Sequence, residues 1–122
     1  MRILFLHRNF PGQFLNLAPF FAKDSDNQVV FITERKDRAI PNVLKIVYKL
    51  TDGDRSKTHR YLHFYEEAIL HGQAAARAAI DLKKKGFVPD IIYGHTWGQT
   101  LFMKDIFPDT PLVGYFEWFY RA

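Results

Sequence analysis

Short apolar runs alternate with helical patterns along this chain. Residues 3–7 form a mainly apolar run without alternation, which is typical of a strand covered on both faces. Pro11 and Gly12 end this run. A helix of about three turns is then predicted from a pattern that repeats at i, i+3, i+4 and i+7: Phe14, Leu17, Ala18 and Phe21. A polar turn follows, and residues 29–32 predict a second strand because they are rich in β-branched side chains.

The middle of the chain predicts an edge strand and one long helix. Residues 44–50 alternate between apolar and polar side chains, with a break at Val47, which indicates a strand nearer the sheet edge. A helical pattern then runs over residues 61–85 and ends at Gly86. Small residues in its apolar stripe would let the helix lie close on the sheet. The predicted stripe is Tyr61, Tyr65, Ala68, Ile69, Gly72, Ala76, Ala79 and Ile80.

Two more strands and a helix are predicted near the end. Residues 91–93 and 112–116 are apolar, β-rich runs. Thr96, followed three positions later by Gln99, matches a capping box and predicts a helix that begins at Trp97. This helix should end before Pro108, with three side chains directed inward: Leu101, Phe102 and Ile106.

The order of these elements predicts the fold class. Strands that alternate with helices indicate parallel strands joined by right-handed crossovers. We therefore expect an α/β, Rossmann-like three-layer domain over residues 1–122, with a mainly parallel sheet of about five strands and helices on both faces. The chain stops just after the aromatic residues 118–120, so we expect a fragment of a longer protein.

Composition narrows the classes of partner. The chain has 122 residues, 48% of them hydrophobic and 16% aromatic, which favours a packed domain over disorder. It contains no cysteine, which excludes disulfides and thiol chemistry. The net charge of +4 includes one basic run, residues 83–85. A helix C-terminus explains this run best; contact with anionic lipid and contact with nucleic acid are the alternatives.

Two loops after predicted strands are the candidate binding segments: residues 9–14 and 94–98. In open α/β sheets, ligands bind where parallel strands end and helices begin. The first loop lacks the three-glycine dinucleotide fingerprint, and the chain has no phosphate-loop lysine motif. Gly12 could let the backbone approach a ligand, although a Pro-Gly turn is often purely structural.

His95 and Glu117 are the candidate side chains at the ends of strands. Histidine beside Gly94 could donate a hydrogen bond to a substrate hydroxyl or phosphate, or could simply be satisfied by nearby backbone. Glu117 could accept from sugar hydroxyls, and an anchoring role for the next loop is equally compatible with its position. A weaker candidate for a metal site is a stripe that repeats every four residues: His59, His63, Glu67 and His71. We expect this stripe to be exposed to solvent, because it lies opposite the apolar face of its helix.

Five segments together resemble the N-terminal domain of the retaining glycosyltransferases of family 4: residues 1–14, 72–77, 94–98, 101–108 and 114–117. The resemblance implies the GT-B fold, in which two Rossmann-like domains face a cleft and the N-terminal one mostly holds the acceptor. It also implies that Gly12 lines the loop near the donor diphosphate and that His95 contacts the transferred sugar. Two positions depart from the family pattern: Pro11 replaces a frequent glycine, and Thr96 replaces a frequent aspartate.

The resemblance implies transfer of a hexosyl-type sugar, with retention, from a nucleotide-sugar donor to a hydroxyl of a glycan or lipid-linked acceptor. N–H dipoles and cations can stabilise the diphosphate leaving group, so no metal or other cofactor is expected. His95 is the expected catalytic residue. The expected donor- and acceptor-binding residues are Gly12, Arg8, Gln13, Trp97 and Glu117.

The partners follow from the same resemblance. A C-terminal GT-B domain should supply the nucleotide-binding residues, so residues 1–122 alone should be inactive. We expect a cytoplasmic protein, with contact at the inner membrane face left open, and no nucleic-acid partner. The competing interpretation is a non-catalytic Rossmann-like module for binding or assembly.

Overall fold

The computed structural model describes residues 1–51, 56–95 and 98–117. One five-stranded sheet organises this part of the chain, with every strand parallel and in the order β3-β2-β1-β4-β5. The strands are β1 (Arg2–Leu6), β2 (Gln28–Thr33), β3 (Val43–Val47), β4 (Ile91–His95) and β5 (Leu112–Tyr115). The predicted α/β, Rossmann-like class is confirmed, and β3 lies at a sheet edge as its alternation indicated.

The helices pack on both faces of the sheet and create two cores. Because side chains alternate along a strand, Ile3 and Phe5 face one side while Leu4 and Leu6 face the other. The first face packs against α1 (Leu17–Ala22), and the second packs against α2 (His63–Lys84) and α3 (Met103–Ile106). All four of these β1 side chains are completely buried.

The first and third helices are shorter than predicted. The chain forms a 3₁₀ turn at Gly12–Phe14 before α1 begins at Leu17, so the three-turn helix is wrong in length. Residues 98–102 form turns, and α3 begins only at Met103. Gln99 is buried, and Leu101 is exposed instead of directed inward. The predicted helix start at Trp97 lies outside the described residues.

The long helix was predicted correctly in position, and its face only in part: Gly72 and Ala79 of the predicted stripe are buried. A second 3₁₀ turn, Arg60–Leu62, precedes α2, and four members of the predicted stripe are exposed: Tyr61, Tyr65, Ile69 and Ile80. Besides Gly72 and Ala79, the buried face contains His71, Ala74, Ala75 and Leu82. Small side chains bring α2 close to the sheet, whereas Tyr65, Ile69 and Ile80 lie on its outer side.

The end of α2 accounts for the basic run at residues 83–85. Gly86 has a φ of +88°, and its N–H donates to the Lys83 carbonyl, while Phe87 donates to the Leu82 carbonyl. This is a Schellman arrangement, in which glycine relieves the left-handed strain and lysines offset the helix dipole.

Among the described residues, no helix is both long enough and apolar enough to span a membrane.

Candidate functional site

The register of three parallel strands places three aromatic rings in a row at the carboxyl edge of the sheet. Leu6 of β1 lies opposite Gly94 of β4, so the next residues, His7 and His95, are neighbours. Their rings stack with centroids 4.1 Å apart and an interplanar angle of 17°. His95 also lies opposite Tyr115 of β5, and these rings stack at 5.9 Å.

The same alternation builds the layer beneath this row. Phe5 lies two positions before His7 and therefore faces the same side of the sheet. Its ring stacks on Phe31 of β2 at 5.7 Å and on Tyr93 of β4 at 5.3 Å. Phe14 connects this layer to the histidine pair, because its ring lies 5.2 Å from that of Phe5 and 5.9 Å from that of His7, at 88° to the imidazole.

Gly12 lies close to the His7 ring of this stacked pair. The loop after β1 contains a cis peptide bond between Phe10 and Pro11, and Gly12 adopts a φ of +52°. A Cβ atom added to Gly12 would lie 2.7 Å from both Cδ2 and Cε1 of His7. Both the backbone angle and this close approach require glycine. The structure therefore brings Gly12 and His95 together on one side of the carboxyl edge.

Gln13 and Glu117 complete the cluster. The Gln13 side chain hydrogen-bonds to His7 Nε2 through its Oε1 and donates from its amide nitrogen to Glu117 Oε1. Glu117 Oε1 also lies 3.6 Å from His95 Nε2. His95 Nε2 is buried and has no hydrogen-bond partner among the described residues. Four of the predicted site residues, Gly12, Gln13, His95 and Glu117, are therefore neighbours.

His7 is the member of this cluster that sequence reasoning missed. It is 3% exposed, and burial lowers its pKa from the ordinary value of 6.5; the neighbouring His95 adds to the lowering, whereas the hydrogen bond that His7 makes to Gln13 and the charge of Glu117 raise the pKa. The missed signal was positional: His7 follows β1 directly and has the same parity as Ile3 and Phe5. Two neighbouring parallel strands that both end in histidine should bring the two rings together.

Arg8, another predicted site residue, already has two carboxylate partners. Its Nε lies 3.1 Å from Glu34 Oε2, and its Nη1 lies 2.9 Å from Glu67 Oε1. Because Arg8 lies one residue beyond His7, it has the opposite parity and turns toward the α2 side of the sheet. Its charge is therefore shared between Glu34, just after β2, and Glu67 of α2.

The expectation that the histidine stripe is solvated is wrong for His71. This residue is 3% exposed, and its Nδ1 lies 2.8 Å from the Tyr48 hydroxyl, which also accepts a hydrogen bond from Gln99 Nε2 at 3.2 Å. Burial lowers the pKa of His71 and raises the pKa of Tyr48 to about 12. Gln99, predicted to cap a helix, thus bonds to Tyr48, which lies just after β3 and contacts His71 of α2.

Two further features bear on chemistry. Within residues 1–51, 56–95 and 98–117, no three His, Asp or Glu side chains are grouped so that they could hold a metal ion. Trp97, a predicted binding residue, lies outside this part of the chain.

A cleft of about 710 Å³ opens beyond Arg8 at the ends of β1, β2 and β3. Its lining includes Arg8, Glu34, Arg35, Lys36, Tyr48 and Lys49.

Fold and site together define a Rossmann-like α/β domain with a polar cluster at the carboxyl edge of its sheet, where such domains bind ligands. The sequence profile of the glycosyl transferase family 4 group matches residues 25–122, and the chain belongs to this family. The family resemblance predicted from the sequence is thereby confirmed.

A solved structure shows the same fold. The apo structure of UGT2 from Phytolacca americana is similar to this chain with a TM-score of 0.56 and 14% sequence identity. The match covers 94% of this chain and 29% of UGT2, so the chain spans less than a third of the length of that protein. No curated protein sequence matches this chain.

Proposed function

We propose that this chain is the N-terminal, acceptor-side domain of a GT-B glycosyltransferase. The whole enzyme would move a hexosyl-type sugar from a nucleotide-sugar donor to a hydroxyl of a glycan or lipid-linked acceptor, with retention of anomeric configuration. The observation that carries this proposal is the meeting of Gly12, Gln13, His95 and Glu117 at one edge of a family 4 domain.

His95 is the proposed catalytic residue, acting by orienting the transferred sugar. Its Nε2 atom is buried and lacks a hydrogen-bond partner among the described residues, so a sugar hydroxyl could take that place. Glu117 lies 3.6 Å from the same nitrogen and could accept from a second hydroxyl. Exposed Gly12 would let the loop backbone approach the donor diphosphate. Gln13 and Trp97 remain proposed binding residues of the two loops.

Arg8 and the cleft beyond it are proposed to receive the acceptor. The cleft lining includes four cationic side chains, Arg8, Arg35, Lys36 and Lys49, and one carboxylate, Glu34. Arg8 is ion-paired with Glu34 and Glu67, and Arg35 with Asp37, so Lys36 and Lys49 supply the excess positive charge that favours an acceptor carrying negative charge. Arg8 is engaged by two carboxylates, so in this proposal it borders the acceptor site and does not offer an unshared charge to the diphosphate.

The decisive test uses the full-length natural protein, because a C-terminal domain is proposed to hold the nucleotide. A panel of nucleotide-sugar donors is screened for release of nucleoside diphosphate, and NMR of the first product reports its anomeric configuration. His95→Ala should lower kcat about 100-fold or more, as expected for loss of one preorganised donor. His63→Ala, at the start of α2, is the matched control and should retain kcat.

Each result of this test bears on a different part of the proposal. Near-normal turnover by His95→Ala would remove His95 from the mechanism. An inverted product would contradict retention. If the full-length protein transfers sugar from none of the donors, the non-catalytic binding or assembly module becomes the better assignment.

A further inference from the structure

A one-way chain of hydrogen bonds runs from the backbone through His7 to Glu117. The N–H of Asn9 donates to His7 Nδ1 at 2.8 Å. A backbone N–H can only donate, so Nδ1 must carry a lone pair. Neutral imidazole then has its proton on Nε2. The Asn9 backbone therefore selects one tautomer of His7.

The selected tautomer determines how Gln13 is oriented. His7 Nε2 faces Gln13 Oε1, and an Nε2–H group requires an acceptor there. The amide nitrogen of Gln13 must then point away from His7, where it donates to Glu117 Oε1. Each of these three hydrogen bonds is donated in the direction of the Glu117 carboxylate. The Oε1 atom of Glu117 in turn lies 3.6 Å from His95 Nε2.

We infer that His7 is a positioning residue: as the Nε2–H tautomer it orients the Gln13 amide, which holds the Glu117 carboxylate beside His95. This inference rests on the proposed function, because it gives His7 a role in arranging the groups that would contact the sugar. The groups facing His7 are Gln13, His95, Glu117 and the edge of Phe14. His7 itself touches no reacting atom in this assignment.

Two substitutions separate the two nitrogen atoms of His7. In His7→Gln, the side-chain amide reaches about as far as Nε2 and can still donate to Gln13. In His7→Asn, the shorter side chain can still accept from the Asn9 N–H but does not reach Gln13. Both variants lose the ring that stacks on His95, so a purely structural role for that ring predicts equal effects.

The expected results in the full-length enzyme differ between these variants. His7→Asn should lower kcat by about 10- to 100-fold with little change in donor KM, because Glu117 is misplaced while the donor still binds. His7→Gln should retain a kcat within about threefold of the wild-type value, because its amide still donates to Gln13. Combining His7→Asn with Gln13→Ala should cost no more than Gln13→Ala alone, since coupled residues are not additive.

A spectroscopic measurement tests the tautomer independently of activity. In protein labelled with ¹⁵N-histidine, the His7 signals are identified by their absence from His7→Gln. They should show a protonated Nε2 and an unprotonated Nδ1. A protonated Nδ1, equal kcat losses in His7→Asn and His7→Gln, or additive losses with Gln13→Ala would each overturn the role of His7. A wild-type protein without transferase activity would instead overturn the proposed function, and with it any role of His7 in transfer.

Discussion

Gly12 shows how a single residue connects local geometry to the site. Its positive φ and its contact with the His7 ring are separate constraints, and both exclude a Cβ atom. A turn glycine next to proline has an obvious structural explanation in the sequence. The structure adds a second one, since a Cβ atom on Gly12 would overlap the imidazole that stacks on His95.

Comparing alanine substitutions at Gly12 and Gly86 separates the effect of the backbone angle from that of the contact with His7. Gly12→Ala should displace His7 and lower kcat of the full-length enzyme by about 10-fold or more. Gly86→Ala is the matched control: Gly86 also has a positive φ, but an added Cβ would meet no atom within 4 Å. It should cost about 1–2 kcal/mol of stability and leave kcat unchanged. Equal kcat in both variants would show that the contact with His7 is unimportant.

Acid should destabilise the domain through its two buried histidines. Burial lowers the pKa of His7 and of His71 from 6.5, so the unfolded chain binds protons more readily than the folded one. Stability should therefore be greatest above pH 6.5 and fall as the pH decreases from 6.5 toward the lowered folded values. Below the folded values, no further loss arises from these groups.

Thermal unfolding of the full-length protein between pH 8 and pH 5 measures this effect. His71→Gln should flatten the loss of Tm at acid pH, because it removes one of the two groups. His63→Gln, which alters the exposed start of α2, should keep the wild-type slope. An unchanged slope in His71→Gln would mean that His71 does not contribute.

At the scale of elements, α2 packs through glycine and alanine. Gly72 lies against the second loop, where an added Cβ would be 2.7 Å from the Gly98 carbonyl oxygen and 3.1 Å from Phe102 Cε2. The larger apolar residues Ile69 and Ile80 are at least 40% exposed. Periodicity located the helix and the small stripe residues Gly72 and Ala79 that it buries, but close backbone approach left Ile69 and Ile80 outside the buried face.

Gly72→Ala tests this close approach. Alanine favours helix by up to about 1 kcal/mol, whereas overpacking against a backbone oxygen typically costs about 1–3 kcal/mol. The free energy of unfolding should therefore fall by about 1–2 kcal/mol in urea denaturation. Gln73→Ala, at the exposed neighbouring position, should stay within about 0.5 kcal/mol of wild type. A stabilised Gly72→Ala variant would show that α2 has room to move outward.

At the scale of the whole molecule, one sheet edge presents two neighbouring regions. The stacked pair His7–His95 lies on the α1 side, and Arg8 with its cleft lies on the α2 side. Consecutive residues after β1 serve the two regions because side chains alternate across the sheet. In the proposed enzyme, sugar and acceptor would approach β1 from these two sides.

Residues 1–122 alone should show no sugar transfer, because the nucleotide-binding groups are proposed to lie in a C-terminal domain. Release of nucleoside diphosphate, measured for this chain and for the full-length protein at equal concentration, checks the expectation. Turnover by residues 1–122 at a rate comparable to the full-length protein would contradict the two-domain assignment.

The sequence by itself determined the five strands, their parallel arrangement, the long helix with its glycine cap, and the family. These follow from local periodicity, turn residues and recognisable segments, which neighbouring positions encode. It also indicated Gly12, Gln13, His95 and Glu117 as candidates, but as separate loop residues. Only the tertiary structure decided that His7 joins them, because the contact depends on the register of β1 against β4. The burial of His71 and the exposure of Ile69 and Ile80 were likewise decided by long-range packing, because close backbone contact at Gly72 favours small residues on the buried face of α2.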